Sequence, residues 1–162
     1  MKKTLLIALC ALLLISLPSC KGKNYADDVA VSTISQKAIV ALGEQVGYIT
    51  AGEGYLDDYF KVPEAVQEYT VFFAAEGNNI DEFGIFHVGE GSGKDMEAML
   101  RDYLEDSYEK NREWYDSYIP EETPKLRDAE VKLFGNYAVY AIADEGDRAL
   151  FFRTVEELLT TS

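Results

Sequence analysis

The sequence predicts an α+β domain: a four-stranded, mainly antiparallel sheet with helices on one face, made of duplicated ββα units preceded by an N-terminal helix. Three observations predict it. Two period-two segments, Asp128 to Phe134 and Tyr137 to Ala143, flank Gly135-Asn136, a strong signal for a two-residue hairpin turn. Met96, Leu100, Tyr103 and Ser107 recur at helical spacing. The order hairpin then helix occurs twice, and alternating strand and helix signals of this kind lead to a sheet with helices packed on it.

The elements follow in order. A first helix is predicted from Asp28 to about Val46, with Asp27 or Asp28 as its cap. Val31, Ile34, Ala38, Ala41 and Leu42 fall on one face, and Gly47 is a suitable stop. Thr50 to Pro63 gives no clear element. Tyr69 to Ala74 reads as a strand, rich in aromatic and β-branched residues. Glu76-Gly77-Asn78-Asn79 is turn chemistry, and Glu82 to Val88 is the next strand. A long helix then runs to about Tyr115, and Trp114 and Tyr118 continue its spacing. Pro120 to Pro124 interrupts the chain, the Gly135-Asn136 hairpin follows, and a last helix runs from about Asp147 to Leu159. Laying Phe83–Val88 over Tyr137–Ile142 takes a constant offset of 54 positions, which also puts Met96 on Leu150 and Leu104 on Leu158. This is the basis for expecting a duplication.

The N-terminus carries an address. Met1-Lys2-Lys3 is cationic, and Thr4 to Leu17 is apolar apart from Thr4, Cys10 and Ser16. The run is short for a permanent membrane span and has signal-peptide flanks. Leu17-Pro18-Ser19-Cys20 resembles the bacterial lipobox, which implies cleavage before Cys20 and acylation of that cysteine. Cys10 lies in the discarded segment, so the mature chain has no partner for Cys20 in an intrachain disulfide. Two acyl chains make a stable anchor where one holds only marginally, at about 0.8 kcal/mol per buried CH₂. Lys21 and Lys23 beside the headgroups add modest attraction to anionic lipid. The expected organisation is a signal peptide over 1–19, a lipid-anchored tether over 20–27 and a single domain over 28–162, held on the extracytoplasmic face of a bacterial cell membrane. Removing Lys2 and Lys3 takes the formal net charge from −14 to −16. Such a surface repels nucleic acid, which requires a basic stripe.

Several motifs recur together in one family: the lipobox, Asp81-Glu82-Phe83-Gly84-Ile85-Phe86, the long charged helix, Tyr118-Ile119-Pro120-Glu121, Asp128-Ala129-Glu130-Val131 and Phe134-Gly135-Asn136-Tyr137-Ala138-Val139. Over roughly Gln36 to Leu159 the chain resembles the bacterial lipoproteins grouped as domain of unknown function (DUF) 4358. The resemblance implies an anchored lipoprotein. It implies no activity and no catalytic residue.

The hairpin sorts side chains by face. A two-residue loop pairs Phe134 with Tyr137 and Leu133 with Ala138, and paired residues share a face. One face carries Ala129, Val131, Leu133, Ala138, Tyr140 and Ile142, all apolar, and is the expected main core. The other carries Glu130, Lys132, Phe134, Tyr137, Val139 and Ala141, joined through the 54-residue offset by Phe83, Ile85 and His87. A solvated face should be polar throughout, so this half-apolar face is either covered by the first helix or the Tyr55–Phe60 segment, or it binds something. On the second reading, Phe83, Ile85, His87, Phe134, Tyr137 and Val139 form a candidate interaction face.

Little else carries chemistry. Gly89-Glu90-Gly91-Ser92-Gly93-Lys94 resembles a phosphate loop but has Val88 where the pattern needs Gly and Asp95 where it needs Ser or Thr. It reads instead as a turn, with Ser92 capping the helix and Asp95 reaching back. His87 is the single histidine, and no spacing gathers metal ligands or a nucleophile around it. The acid pairs Asp57-Asp58, Glu121-Glu122 and Asp144-Glu145 do not follow a calcium-loop pattern. Trp114, Tyr115 and Tyr118 are suited to a platform for a sugar ring or to packing on the loop around Pro120. No cofactor, metal or catalytic group is predicted. The expected function is a binding or interaction module for an envelope protein, peptide or glycan. The alternative is a carboxylate-dependent hydrolase of envelope or dietary glycans, for which two carboxylates must converge in a cleft.

Overall fold

The computed structural model describes residues 23–43, 47–52 and 54–161. The predicted signal segment and Cys20 lie outside the described residues. The chain forms helix α1 (Val31–Leu42), strands β1 (Tyr48–Thr50), β2 (Val66–Ala74) and β3 (Glu82–Val88), helices α2 (Gly93–Tyr118) and α3 (Thr123–Arg127), strands β4 (Glu130–Phe134) and β5 (Tyr137–Ile142), and helix α4 (Glu145–Leu159). The strands make one antiparallel sheet in the order β1-β2-β3-β5-β4.

The α+β class and the antiparallel sheet are as expected, but the sheet has five strands. The additional strand is β1, whose Tyr48, Ile49 and Thr50 pair with Ala74, Phe73 and Phe72. Three residues carry no readable period, so only the pairing reveals it. The hairpin register agrees with the sequence: Phe134 pairs with Tyr137, Leu133 with Ala138, and Val131 with Tyr140. Gly135 sits at φ 60°, the left-handed conformation that a two-residue turn demands and that glycine adopts without strain.

Helices cover both faces of the sheet, not one. On one side α1 and α4 bury Phe72, Phe83, Ile85, Phe134, Tyr137, Val139 and Ala141 beneath Ile34, Ala38, Phe151, Phe152, Val155 and Leu159. On the other, α2 and α3 bury Val71, Phe86, Val88, Val131, Ala138, Tyr140 and Ile142 beneath Met96, Leu100, Tyr103, Leu104 and Leu126. The central strands dictate this. Every residue of β5 is buried, and in β3 only His87 is partly exposed. A strand apolar on both sides cannot leave either side in water, since a large apolar side chain gains about 1.5–3 kcal/mol on burial.

The duplication fails in space. The 54-residue offset keeps Phe83 and Tyr137 on the same face, as a repeat requires. The helices that follow do not comply: α2 packs on one face and α4 on the other. The repetition lies in element order and strand pattern, and the two halves are not equivalent units.

Neither predicted local cap forms, and at α1 a long-range contact takes its place. No side chain of α1's own segment caps it; instead the Val31 N–H donates to Glu68 Oε2 on β2 at 3.0 Å. The carboxylate meets both an orphan N–H and the positive end of the helix dipole. The helix stops at Gly43, φ 106°, short of the predicted Val46. At α2, Ser92 occupies the cap position but makes no side-chain cap bond, so the predicted capping box is not formed.

Candidate functional site

Glu82 opens β3 with its side chain on the α2 face, opposite to Phe83. It is only 8% exposed. Three tyrosines from three separate segments donate to its carboxylate: Tyr55 to Oε2 at 2.5 Å, Tyr103 to Oε1 at 2.7 Å and Tyr140 to Oε1 at 2.6 Å. Charge-assisted O–H donors of this length are the strong kind, and together they compensate the desolvation of the carboxylate. The arrangement depends on Gly84. The ring of Tyr140, from the neighbouring strand, lies directly over it, and a Cβ at position 84 would sit 2.0 Å from Tyr140 Cε1. Glycine lets the ring lie flat and carries its hydroxyl to Glu82.

The phenols are held neutral. Burial pushes the Tyr103, Tyr140 and Tyr55 hydroxyls well above the ordinary phenol value, and the negative charge of Glu82 and the hydrogen bonds to it push them further. A phenol that donates to a buried carboxylate would, on ionising, face it as a second anion.

Beside this network lies a second one. Lys125 on α3 is 7% exposed and meets Asp81 Oδ1 at 2.8 Å, Glu122 Oε2 at 3.0 Å and Asn79 Oδ1 at 3.1 Å. Glu122 also accepts from the Ile80 N–H at 3.0 Å. Burial disfavours the ammonium, but the hydrogen bonds and charges of Asp81 and Glu122 outweigh it, and the net effect holds Lys125 more firmly protonated. The network locks the β2–β3 loop onto α3.

Above both networks is a cleft of about 280 Å³, lined among others by Tyr55, Tyr59, Asn79, Ser107, Asn111 and Tyr115. It mixes aromatic faces with amide and hydroxyl groups, the composition of a small-ligand site. Glu82 and Asp81 both line it, and both are already engaged, by the three phenols and by Lys125.

The cleft is bordered by an overhang. The last buried residue of α2 is Ser107, and the helix continues to Tyr118, about 16 Å further. Its apolar stripe continues with it. Trp114 and Tyr118 are 55% and 70% exposed, their ring centroids 5.1 Å apart and their planes tilted by 31°. Tyr115, which lines the cleft, meets Trp114 edge-on at 5.3 Å. Cleft and exposed rings are therefore continuous.

The predicted interaction face fares differently. Phe83, Ile85, Tyr137 and Val139 are completely buried under α1 and α4, and Phe134 is nearly so. His87 lies at the border of this layer, stacked on Tyr137 with centroids 4.4 Å apart and Nε2 3.0 Å from Asp27 Oδ1. The residues were sorted to the right face, but the face is a second core and not a docking surface, because α1 and α4 supply the apolar cover it needs. Glu82, Tyr55, Tyr103 and Tyr140 were not singled out from the sequence. The available signal was an acid opening a strand otherwise apolar on both sides, a group that must find donors from elsewhere. Among the described residues, no three His, Cys, Asp or Glu side chains stand where they could hold a metal ion, and no helix is long and apolar enough to cross a membrane.

Comparison of the chain with protein-family models, curated proteins and solved structures finds no match.

Proposed function

We propose that this chain is a membrane-anchored extracytoplasmic lipoprotein, tethered through lipidated Cys20, whose domain binds a saccharide component of the cell envelope in the cleft between Tyr55 and Tyr115. The observation that carries the reading is the continuity of that cleft with the exposed Trp114–Tyr118 pair. Exposed aromatic faces stack on the apolar faces of sugar rings, and Asn79, Ser107 and Asn111 supply donors and acceptors for hydroxyls. The formal net charge, −14 for the full sequence and −16 after removal of Lys2 and Lys3, selects an uncharged or cationic ligand over a polyanion. Lipobox and family resemblance support the location, and the cleft supports the binding role.

Trp114 is the single tryptophan, so emission excited selectively in the indole band, beyond the phenol absorption, reports on this site. Titration with neutral and amino-bearing envelope oligosaccharides should shift and quench its emission saturably. Tyr115→Ala should weaken that response at least about tenfold, the equivalent of ~1.4 kcal/mol. Emission unchanged by any oligosaccharide, but changed by peptides, would move the proposal to a peptide ligand. Emission changed by neither would remove the cleft from consideration.

A further inference from the structure

We infer that the domain stands on the membrane by its hairpin end, with the cleft and the α2 overhang presented away from the bilayer; this rests on the lipoprotein reading above. The sequence reading leaves residues 20–27 as a tether, yet from Lys23 onward the segment is fastened to the body. Lys23 Nζ contacts Glu156 Oε1 at 2.6 Å, and the Tyr25 hydroxyl donates to the same oxygen at 3.0 Å. The Ala26 N–H donates to the Leu159 carbonyl at 2.7 Å, and Thr161 N–H to that of Asn24 at 3.1 Å. Asp27 Oδ1 accepts from Asn136 Nδ2 at 2.9 Å and lies 3.0 Å from His87 Nε2. The Tyr137 hydroxyl donates to the Val29 carbonyl at 2.8 Å and accepts from its N–H at 3.1 Å.

The free length left is short. Cys20 and Lys23 are three Cα–Cα steps apart, at most about 11 Å in any conformation. A lipid on Cys20 must then hold the body's attachment point close to the headgroups. That point is one end of the sheet. Asn136 is in the turn itself, His87 is at the far end of β3, and Glu156 is in the last turn of α4. Glu82 begins β3 at the opposite end, about 17 Å away by strand rise. Helix α2 points the same way. It starts at Gly93, whose Cβ would lie 3.5 Å from the Gly135 carbonyl, and extends about 39 Å to Tyr118. The cleft and the Trp114–Tyr118 pair therefore face the space beyond the membrane, and their ligand comes from that side and not from the headgroups that hold the anchor.

The test uses the full-length acylated protein in phosphatidylethanolamine–phosphatidylglycerol vesicles carrying a headgroup-attached energy acceptor. A donor dye is placed through Lys94→Cys in one sample and Asp116→Cys in another, both at exposed helix positions. The two sites are about 33 Å apart along α2, so donor emission should fall at least about twofold more at position 94 than at 116. Ten Gly/Ser residues inserted between Cys20 and Lys23 should reduce that difference. Equal or reversed losses in the acylated protein, or a difference unmoved by the insertion, would overturn the proposed pose. Mass spectrometry of Cys20 separates the two claims: an unacylated Cys20 overturns the lipoprotein reading and the pose with it, whereas acylation with equal losses overturns the pose alone.

Discussion

Raising the pH should unfold this protein abruptly, through its buried phenols. In the unfolded chain a tyrosine ionises near pH 10. In the folded protein burial, then the charge of Glu82, hold Tyr103 and Tyr140 protonated well beyond that point. The folded state keeps protons that the unfolded state releases, so the stability these groups contribute is complete below about pH 10 and lost as pH rises above it. Each such group costs about 1.4 kcal/mol per pH unit. Tyr103 is 6% exposed and Tyr140 0%, so solvent screening takes little from this figure. The pair therefore removes about 2.7 kcal/mol per unit, and the half-buried Tyr55 and Tyr48, shifted in the same direction, add a smaller amount. A domain at the lower end of ordinary stability, about 5 kcal/mol, should be unfolded by roughly pH 12, and a more stable one at correspondingly higher pH. Urea unfolding between pH 9 and 11.5 measures the slope, with tyrosinate absorbance at 295 nm followed beside far-UV circular dichroism. Part of the absorbance change from the 11 tyrosines should occur only together with loss of the dichroism signal. Tyr103→Phe should lower the slope by about 1.4 kcal/mol per unit. Smooth ionisation of all the tyrosines with dichroism intact would refute the reasoning.

Other substitutions probe other layers. Gly84→Ala places a methyl within the Tyr140 ring and should cost about 3 kcal/mol or prevent folding, measured by thermal and urea unfolding. Lys125→Met leaves Asp81 and Glu122 facing each other without their cation, and should cost about 3–5 kcal/mol at pH 7, with part regained at acid pH where carboxylates protonate. Tyr137→Phe deletes both hydrogen bonds to Val29 and should cost about 1–2 kcal/mol, with faster amide exchange confined to residues 23–30. Trp114→Ala, at an exposed position, should change stability by less than about 0.5 kcal/mol, so a loss of oligosaccharide binding measured by titration calorimetry, which needs no tryptophan, reads as loss of contact.

How far the fold was legible depended on how far apart the interacting residues stand in sequence. The β4–β5 pairing was readable down to individual partners, because a two-residue turn leaves a single register and period two assigns the faces. The course of α2 was readable from helical periodicity, and the bounds of β3 from an apolar run between the turn at 76–79 and Gly89. β1 was not, since three residues have no period and Tyr48 gains its place from β2 and from the rings of Phe72 and Phe83. The start of α1 was misassigned to an aspartate cap because its true acceptor, Glu68, lies 37 residues along the chain.

The site shows the same division more sharply. Sequence by itself determined the β4–β5 register, which residues share each face of that hairpin, and the helical spacing that puts Trp114 and Tyr118 in line with Met96 and Leu100. It placed helices on one face and left open whether the half-apolar face is covered or binds something. Only the tertiary structure decided that α1 and α4 form one layer and α2 and α3 the other, and so chose cover by the first helix over an open docking face. It also decided that Glu82 receives hydroxyls from Tyr55, Tyr103 and Tyr140. The reason is physical: a local pattern specifies which way a side chain points, whereas a buried charge is satisfied by whichever donors the folded chain brings within about 3 Å, and those come from a turn, a helix and a strand tens of residues away.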